Sequence, residues 1–175
     1  MKYIILIAAL LAPLANAGVL VIGDSMSAQS TSWPTYYREY TGDNVMVMAQ
    51  NGRTIRDFTL PNDLKADGNI DKVYYLLGGN DAFQSTPTNL LANRVLSQLR
   101  FLKDRGFDVT VILVPEFANK ERQVRRVNNV LKKKAAGLRI KTIDLMAVWD
   151  TSLTSDTVHP LPALSRIIAD YIVSS

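Results

Sequence analysis

Five near-continuous apolar runs, at 18–23, 44–49, 72–77, 108–114 and 140–144, alternate along this chain with stretches of helical periodicity. Runs of four to eight Val, Ile, Leu, Met and Tyr residues suit strands buried on both faces, which is the condition of a parallel sheet covered by helices. The helix-like stretches are 32–40, a weaker one at 54–65, then 87–105, 121–136 and a closing one at 162–173. Leu91, Val95, Leu99 and Leu102 form one stripe, and Val124, Val127, Leu131 and Ala135 form another. Strand–helix alternation of this kind predicts an α/β domain in which each strand returns through a crossover helix. At 175 residues with 47% apolar content, one domain with a single core is expected.

The first 17 residues are a separate object. Lys2 gives a positive start, 3–14 is almost wholly apolar, and Ala15-Asn16-Ala17 matches the small-residue pattern that precedes a cleavage site. The apolar run is too short for a bilayer, which needs about 20 residues. The expectation is a signal peptide over 1–17 cleaved after Ala17, a domain over 18–175, and a periplasmic or secreted destination.

In an open parallel sheet, ligands bind beyond the carboxyl ends of the strands, near the point where strand order reverses. The loop leaving each strand therefore matters. The first strand ends in Gly23-Asp24-Ser25, the second in Gln50-Asn51-Gly52-Arg53 and the third in Gly78-Gly79-Asn80-Asp81. A long loop after the fifth leads to Asp156-Thr157-Val158-His159. With the strand order 2-1-3-4-5, the first three loops would lie side by side, and the long fourth loop could cross back to them.

Each block alone is an ordinary turn. Together, in this order, they resemble the four blocks of the SGNH (GDSL-type) hydrolases over the whole length after the leader. The likeness is greatest to compact bacterial exported esterases and to the thioesterase/lysophospholipase branch, and it extends to the Trp33-Pro34 pair. Two departures are local: the serine block reads GDSMS rather than GDSLS, and Leu161 follows Pro160 where a polar residue is common. The resemblance implies a flavodoxin-like three-layer α/β/α sandwich with a five-stranded parallel sheet, and a serine ester hydrolase without metal or organic cofactor.

The chemistry of the residues agrees. Ester hydrolysis by serine needs an activated hydroxyl, a base, a group orienting that base and donors for the oxyanion. Ser25 is the expected nucleophile; His159, the chain's single histidine, is the base, and Asp156 orients it. The backbone N–H groups of Ser25 and Gly52 and the Asn80 amide are the expected oxyanion donors, glycine suiting position 52 by allowing close approach. Asp24 is expected to cap the turn that begins at Ser25, and Asp81 to cap a short turn or fix Asn80. Candidate substrate-binding walls are Phe83, Phe117 and Trp149. With no cysteine and no carboxylate cluster, thiol chemistry and metal sites are not expected. A dinucleotide site lacks its glycine motif, and a phosphate receiver lacks its acidic pair.

The stretch 120–141 holds nine Lys or Arg against one acid, Glu121. It reads first as the solvated face of a docked helix; weak association with an anionic envelope surface is the sharper alternative. Nucleic acid is not expected, because aromatic residues do not interleave the basic ones. The functional expectation is an exported monomeric esterase acting on carboxylic, thio- or lysophospholipid esters through an acyl-enzyme, at an open site for short acyl groups or lipids presented at a surface. Beside it stand a carbohydrate O-acetylesterase acting on cell-wall or surface polysaccharide, and a catalytically silent module binding glycan or lipid. Exposed tryptophan near Ser25, either Trp33 or Trp149, would favour a glycan cleft.

Overall fold

The computed structural model describes residues 18–67 and 69–175; the expected leader, 1–17, lies outside them. Five strands form one parallel sheet: β1 (Gly18–Gly23), β2 (Asn44–Ala49), β3 (Lys72–Leu76), β4 (Asp108–Leu113) and β5 (Lys141–Asp144). The order is β2-β1-β3-β4-β5, as expected, so strand order reverses beside β1. β1 is buried at every position, whereas the edge strand β2 buries only Val45 fully. The last three strands are each one residue shorter than the apolar runs suggest.

Helices cover both faces. α2 (Trp33–Thr41) packs with α6 (Pro162–Ser174) on one side, and α4 (Thr88–Asp104) with α5 (Glu121–Gly137) on the other. Two single-turn helices, α1 (Ser25–Ala28) and α3 (Gly79–Phe83), come directly after β1 and β3. Adjacent residues of β3 show the layering. Tyr74 sits edge-on to Trp33 and Tyr37 of α2, at 5.9 and 5.4 Å, while the Tyr75 hydroxyl meets Gln98 of α4 on the opposite face. The stripes Leu91–Val95–Leu99–Leu102 and Val124–Val127–Leu131–Ala135 are fully buried, each large side chain contributing about 1.5–3 kcal/mol.

The weaker stretch, 54–65, is not a helix. Its turn bonding is confined to two isolated turns, closed by the Phe58 N–H on the Thr54 carbonyl and by the Leu64 N–H on the Pro61 carbonyl. Between them Pro61 biases Leu60 away from helical backbone. The apolar residues Ile55, Phe58 and Leu60 are buried instead as a strap, its backbone held by side chains from elsewhere. Ile55 N–H donates to Asp81 Oδ2 at 2.6 Å, and Gln98 Nε2 donates to the carbonyls of Ile55 and Phe58 at 3.0 and 2.8 Å. Asp81 therefore anchors this strap, rather than capping its own turn.

Register sets the level of the site. Gly23 pairs with Ala49 on one side and Leu76 on the other, so β1, β2 and β3 end in one row and their loops leave the sheet together.

Candidate active site

The serine turn is built from small residues for a steric reason. A Cβ on Gly23 would lie 2.6 Å from Ser27 Oγ, so the strand can enter α1 this tightly only with glycine. Asp24 Oδ1 accepts the Met26 N–H at 3.1 Å and starts the helix, the capping role expected of it. Trp33 Nε1 donates to Ser27 Oγ at 3.0 Å and pins the same turn from beneath. Trp33 is 1% exposed, so it is core and offers no surface to a glycan.

Ser25 Oγ lies 2.9 Å from His159 Nε2, and His159 Nδ1 lies 2.7 Å from Asp156 Oδ2. An ionised Asp156 accepts a hydrogen bond from Nδ1–H, which keeps the proton on that nitrogen and leaves the Nε2 lone pair facing the serine hydroxyl. The loop holds this geometry itself. Asp156 Oδ1 accepts the N–H groups of Val158 and His159, and Thr154 pairs with Pro160 in a short antiparallel bridge. Thr157 sits at φ +70, an unusual conformation for a β-branched residue, with its N–H held by Thr154 Oγ1. Partial burial opposes the charge on Asp156, yet the hydrogen bonds from His159 and the two backbone N–H groups prevail and hold its carboxyl below the ordinary range.

Asn80 is on the same edge. Its Nδ2 donates to the Arg53 carbonyl at 3.1 Å and lies 3.4 Å from Asp24 Oδ2, tying the loops after β1, β2 and β3 together. Asp24 is 2% exposed, and burial pushes its carboxyl up to about 6, against the Met26 N–H and the field of His159. Gly52 occupies the third position of a turn closed by the Arg53 N–H on the Gln50 carbonyl. Its φ of +75 calls for glycine on conformational grounds, and a Cβ there would meet no protein atom within 4 Å. Conformation, more than close approach, explains that residue.

A cavity of about 290 Å³ is lined by Ser25, Asn80, Phe83, Phe117, Val158 and His159. Phe83 stacks on Phe117 with ring centroids 5.5 Å apart. Trp149 does not line the cavity: it sits behind Phe117, edge-on at 6.4 Å, because the 3₁₀ turns after β5 carry it past the mouth. A second, polar cleft of about 290 Å³ is formed by Gln50, Asn51, Gly52, Arg53, Asp57 and Thr59. Gly52 lines this cleft and Asn80 lines the apolar cavity, and the Arg53–Asn80 hydrogen bond joins their two loops. Val158, Met26 and Arg53 are site residues to which the sequence pattern assigns no role. Arg53 could have been found as a cation directly after the Asn51-Gly52 turn. Its guanidinium donates to the Met48 carbonyl at 2.5 Å and stacks 4.5 Å over Phe58.

The model of a GDSL-like lipase/acylhydrolase family matches residues 21–167. No curated protein matches the chain in sequence. Among solved structures, the fold is similar to that of a protein assigned to the lipolytic G-D-S-L family from Desulfitobacterium hafniense DCB-2, with 16% identity, TM-score 0.78, and 91% of this chain and 99% of that one covered. It is similar also to the acetyl xylan esterase AlAXEase, with 18% identity, TM-score 0.78, and coverages of 90% and 98%. A third is Est24, a carbohydrate acetylesterase from Sinorhizobium meliloti, with 17% identity, TM-score 0.63, and coverages of 91% and 99%.

Proposed function

The chain belongs to the GDSL-like lipase/acylhydrolase family, and from that premise we propose that it is an exported serine esterase for short acyl groups, with Ser25 as nucleophile. The observation that carries the reading is the continuous hydrogen-bonded line from Asp156 through His159 to Ser25, at 2.7 and 2.9 Å. Ser25 Oγ attacks the ester carbonyl as its proton passes to His159 Nε2; the imidazolium, stabilised by Asp156, then protonates the departing alkoxide. Water, deprotonated by the same Nε2, attacks the acyl-enzyme; the bond to Ser25 Oγ breaks, the acid leaves and the proton passes from Nε2 back to Oγ. The N–H groups of Ser25 and Gly52 and the Asn80 amide receive the oxyanion, each such donor worth about 3–4 kcal/mol in the transition state. Export rests on the leader-like residues 1–17.

The cavity beside Ser25 supports a short acyl group, since about 290 Å³ lies at the small end of ligand pockets and the stacked Phe83 and Phe117 form one apolar wall. The polar cleft beyond Gly52 favours a second, narrower reading, a carbohydrate O-acetylesterase: amide, carboxylate, guanidinium and hydroxyl groups there suit a sugar as the alcohol. Two of the similar structures are a xylan and a carbohydrate acetylesterase, which agrees with that reading.

The test is hydrolysis of p-nitrophenyl esters from acetate to palmitate and of acetylated xylan, with Ser25→Ala and His159→Ala in parallel. Turnover falling steeply beyond butyrate and lost in both variants is expected. A maximum at long acyl chains, or turnover that survives Ser25→Ala, would sink the proposal.

A further inference from the structure

We propose that the groove between α4 and α5 binds a linear acidic polysaccharide, separately from the ester site. The groove is shallow and open, about 570 Å³, and is lined from α5 by Arg122, Arg125, Arg126, Asn129 and Lys133, with Thr88 alone from α4, and by no carboxylate. The cations recur at intervals of three, four and seven along α5, which puts them on one stripe of about 16 Å. That stripe lies on the outward side of the helix, opposite the buried Val124, Val127 and Leu131. A merely solubilising helix face mixes signs. Here Arg122 and Arg126 are like charges one turn apart, an arrangement that costs helix stability without a counter-ion.

The cations are also short of partners. Arg125 pairs with Glu116 at 2.9 Å, but among the described residues Arg122, Arg126 and Lys133 make no ion pair. Arg126 Nη1 donates to Thr88 Oγ1 at 3.2 Å, while its Nη2 is buried with no acceptor. A buried guanidinium N–H without an acceptor is costly, and an anionic oxygen entering the groove would supply one.

The shape and lining select the ligand. A bilayer needs apolar wedges, and Val130 is the groove's one apolar side chain. Single-stranded nucleic acid needs stacking rings, and none line it. A shallow, open strip of spaced cations suits a linear chain bearing a carboxylate on successive sugars. The strip also runs toward the serine: Lys120, just before α5, lies 5.7 Å from the ring of Phe83, which lines the Ser25 cavity. The binding does not depend on ester chemistry; that the bound polymer carries the ester rests on the esterase reading.

The experiment is titration of the full chain with unesterified polygalacturonate, with dextran as neutral control and phosphatidylglycerol vesicles as a lipid surface. The expected result is salt-sensitive binding of polygalacturonate, weakened about tenfold in Arg122→Ala/Arg126→Ala/Lys133→Ala and unchanged in Lys65→Ala/Arg100→Ala/Lys103→Ala, which removes equal charge elsewhere. p-Nitrophenyl acetate hydrolysis, unchanged in both, reports that the variants fold; Lys133→Glu, at a fully surface position, repeats the test if the triple does not. Equal weakening by both triples, vesicle binding in place of polygalacturonate, or no polymer binding would each overturn the proposal. None of these outcomes bears on whether the ester site works.

Discussion

Asp156 holds His159 twice: Oδ2 faces the ring Nδ1 at 2.7 Å, and Oδ1 accepts the same residue's backbone N–H at 2.8 Å. One carboxylate thus sets both the path of the loop and the tautomer of the ring. The two jobs separate in Asp156→Asn, because an amide oxygen can still accept the backbone N–H groups but cannot take charge. We expect Asp156→Asn to fold normally and to lower kcat/KM by about 10³-fold. Asp156→Ala should lose the turn as well, with about 1–2 kcal/mol of stability. Because its carboxyl titrates below the ordinary range, the activity of the native protein should not decline through Asp156 above about pH 4. If Asp156→Asn keeps more than a tenth of kcat/KM, its assigned role is wrong.

Asp24 has the opposite electrostatics. Its carboxyl titrates near 6 in the folded chain, against an ordinary 3.8, with burial as the main cause. Between these values the unfolded chain has released the proton that the native state still holds. Raising the pH from 4 to 6 therefore favours unfolding, by up to about 3 kcal/mol from this one group. Asp24→Asn keeps an acceptor for Met26 N–H and removes the titration. Urea unfolding at intervals from pH 4 to 7 should show the native protein losing stability relative to Asp24→Asn across that window. Parallel curves for the two proteins would refute it.

The parts of this molecule legible in its sequence are those whose cause is local. A run such as Val19–Ile22 can satisfy its composition only inside a covered sheet, and the resulting strand order sets Ser25, Gly52 and Asn80 on one edge. His159 and Asp156 were legible by type and spacing, since a base and its orienting acid three residues apart can share one loop. The strap at 54–65 was not legible, because its supports are remote in sequence: Asp81 and Gln98 supply the bonds that a helix would have supplied from within. Trp149 was misread for a similar reason. Its composition suits a binding wall, but the turns at 145–147 and 151–153 decide which way it faces. The contact of Arg126 with Thr88 likewise needs the packing of two helices, which neither sequence segment encodes alone.

Gln98 gives the remote control of the site its sharpest test. It is 6% exposed, accepts the Tyr75 hydroxyl at 2.5 Å and donates to the carbonyls of Ile55 and Phe58. Through those carbonyls it holds the strap that continues from Gly52 and Arg53, so it should affect both stability and turnover. Gln98→Leu conserves volume but orphans a hydroxyl and two carbonyls, at an expected cost of about 2–5 kcal/mol. Turnover of a short ester should drop several-fold under conditions where the variant remains folded, because the oxyanion turn loses its support. Adding Tyr75→Phe removes one orphan, so the double variant should recover about 1 kcal/mol relative to Gln98→Leu, a coupling that urea unfolding of all four proteins would measure. A double variant no more stable than Gln98→Leu would mean that the Tyr75 contact contributes nothing, and a Gln98→Leu variant as stable as the native protein would mean that the strap does not depend on Gln98.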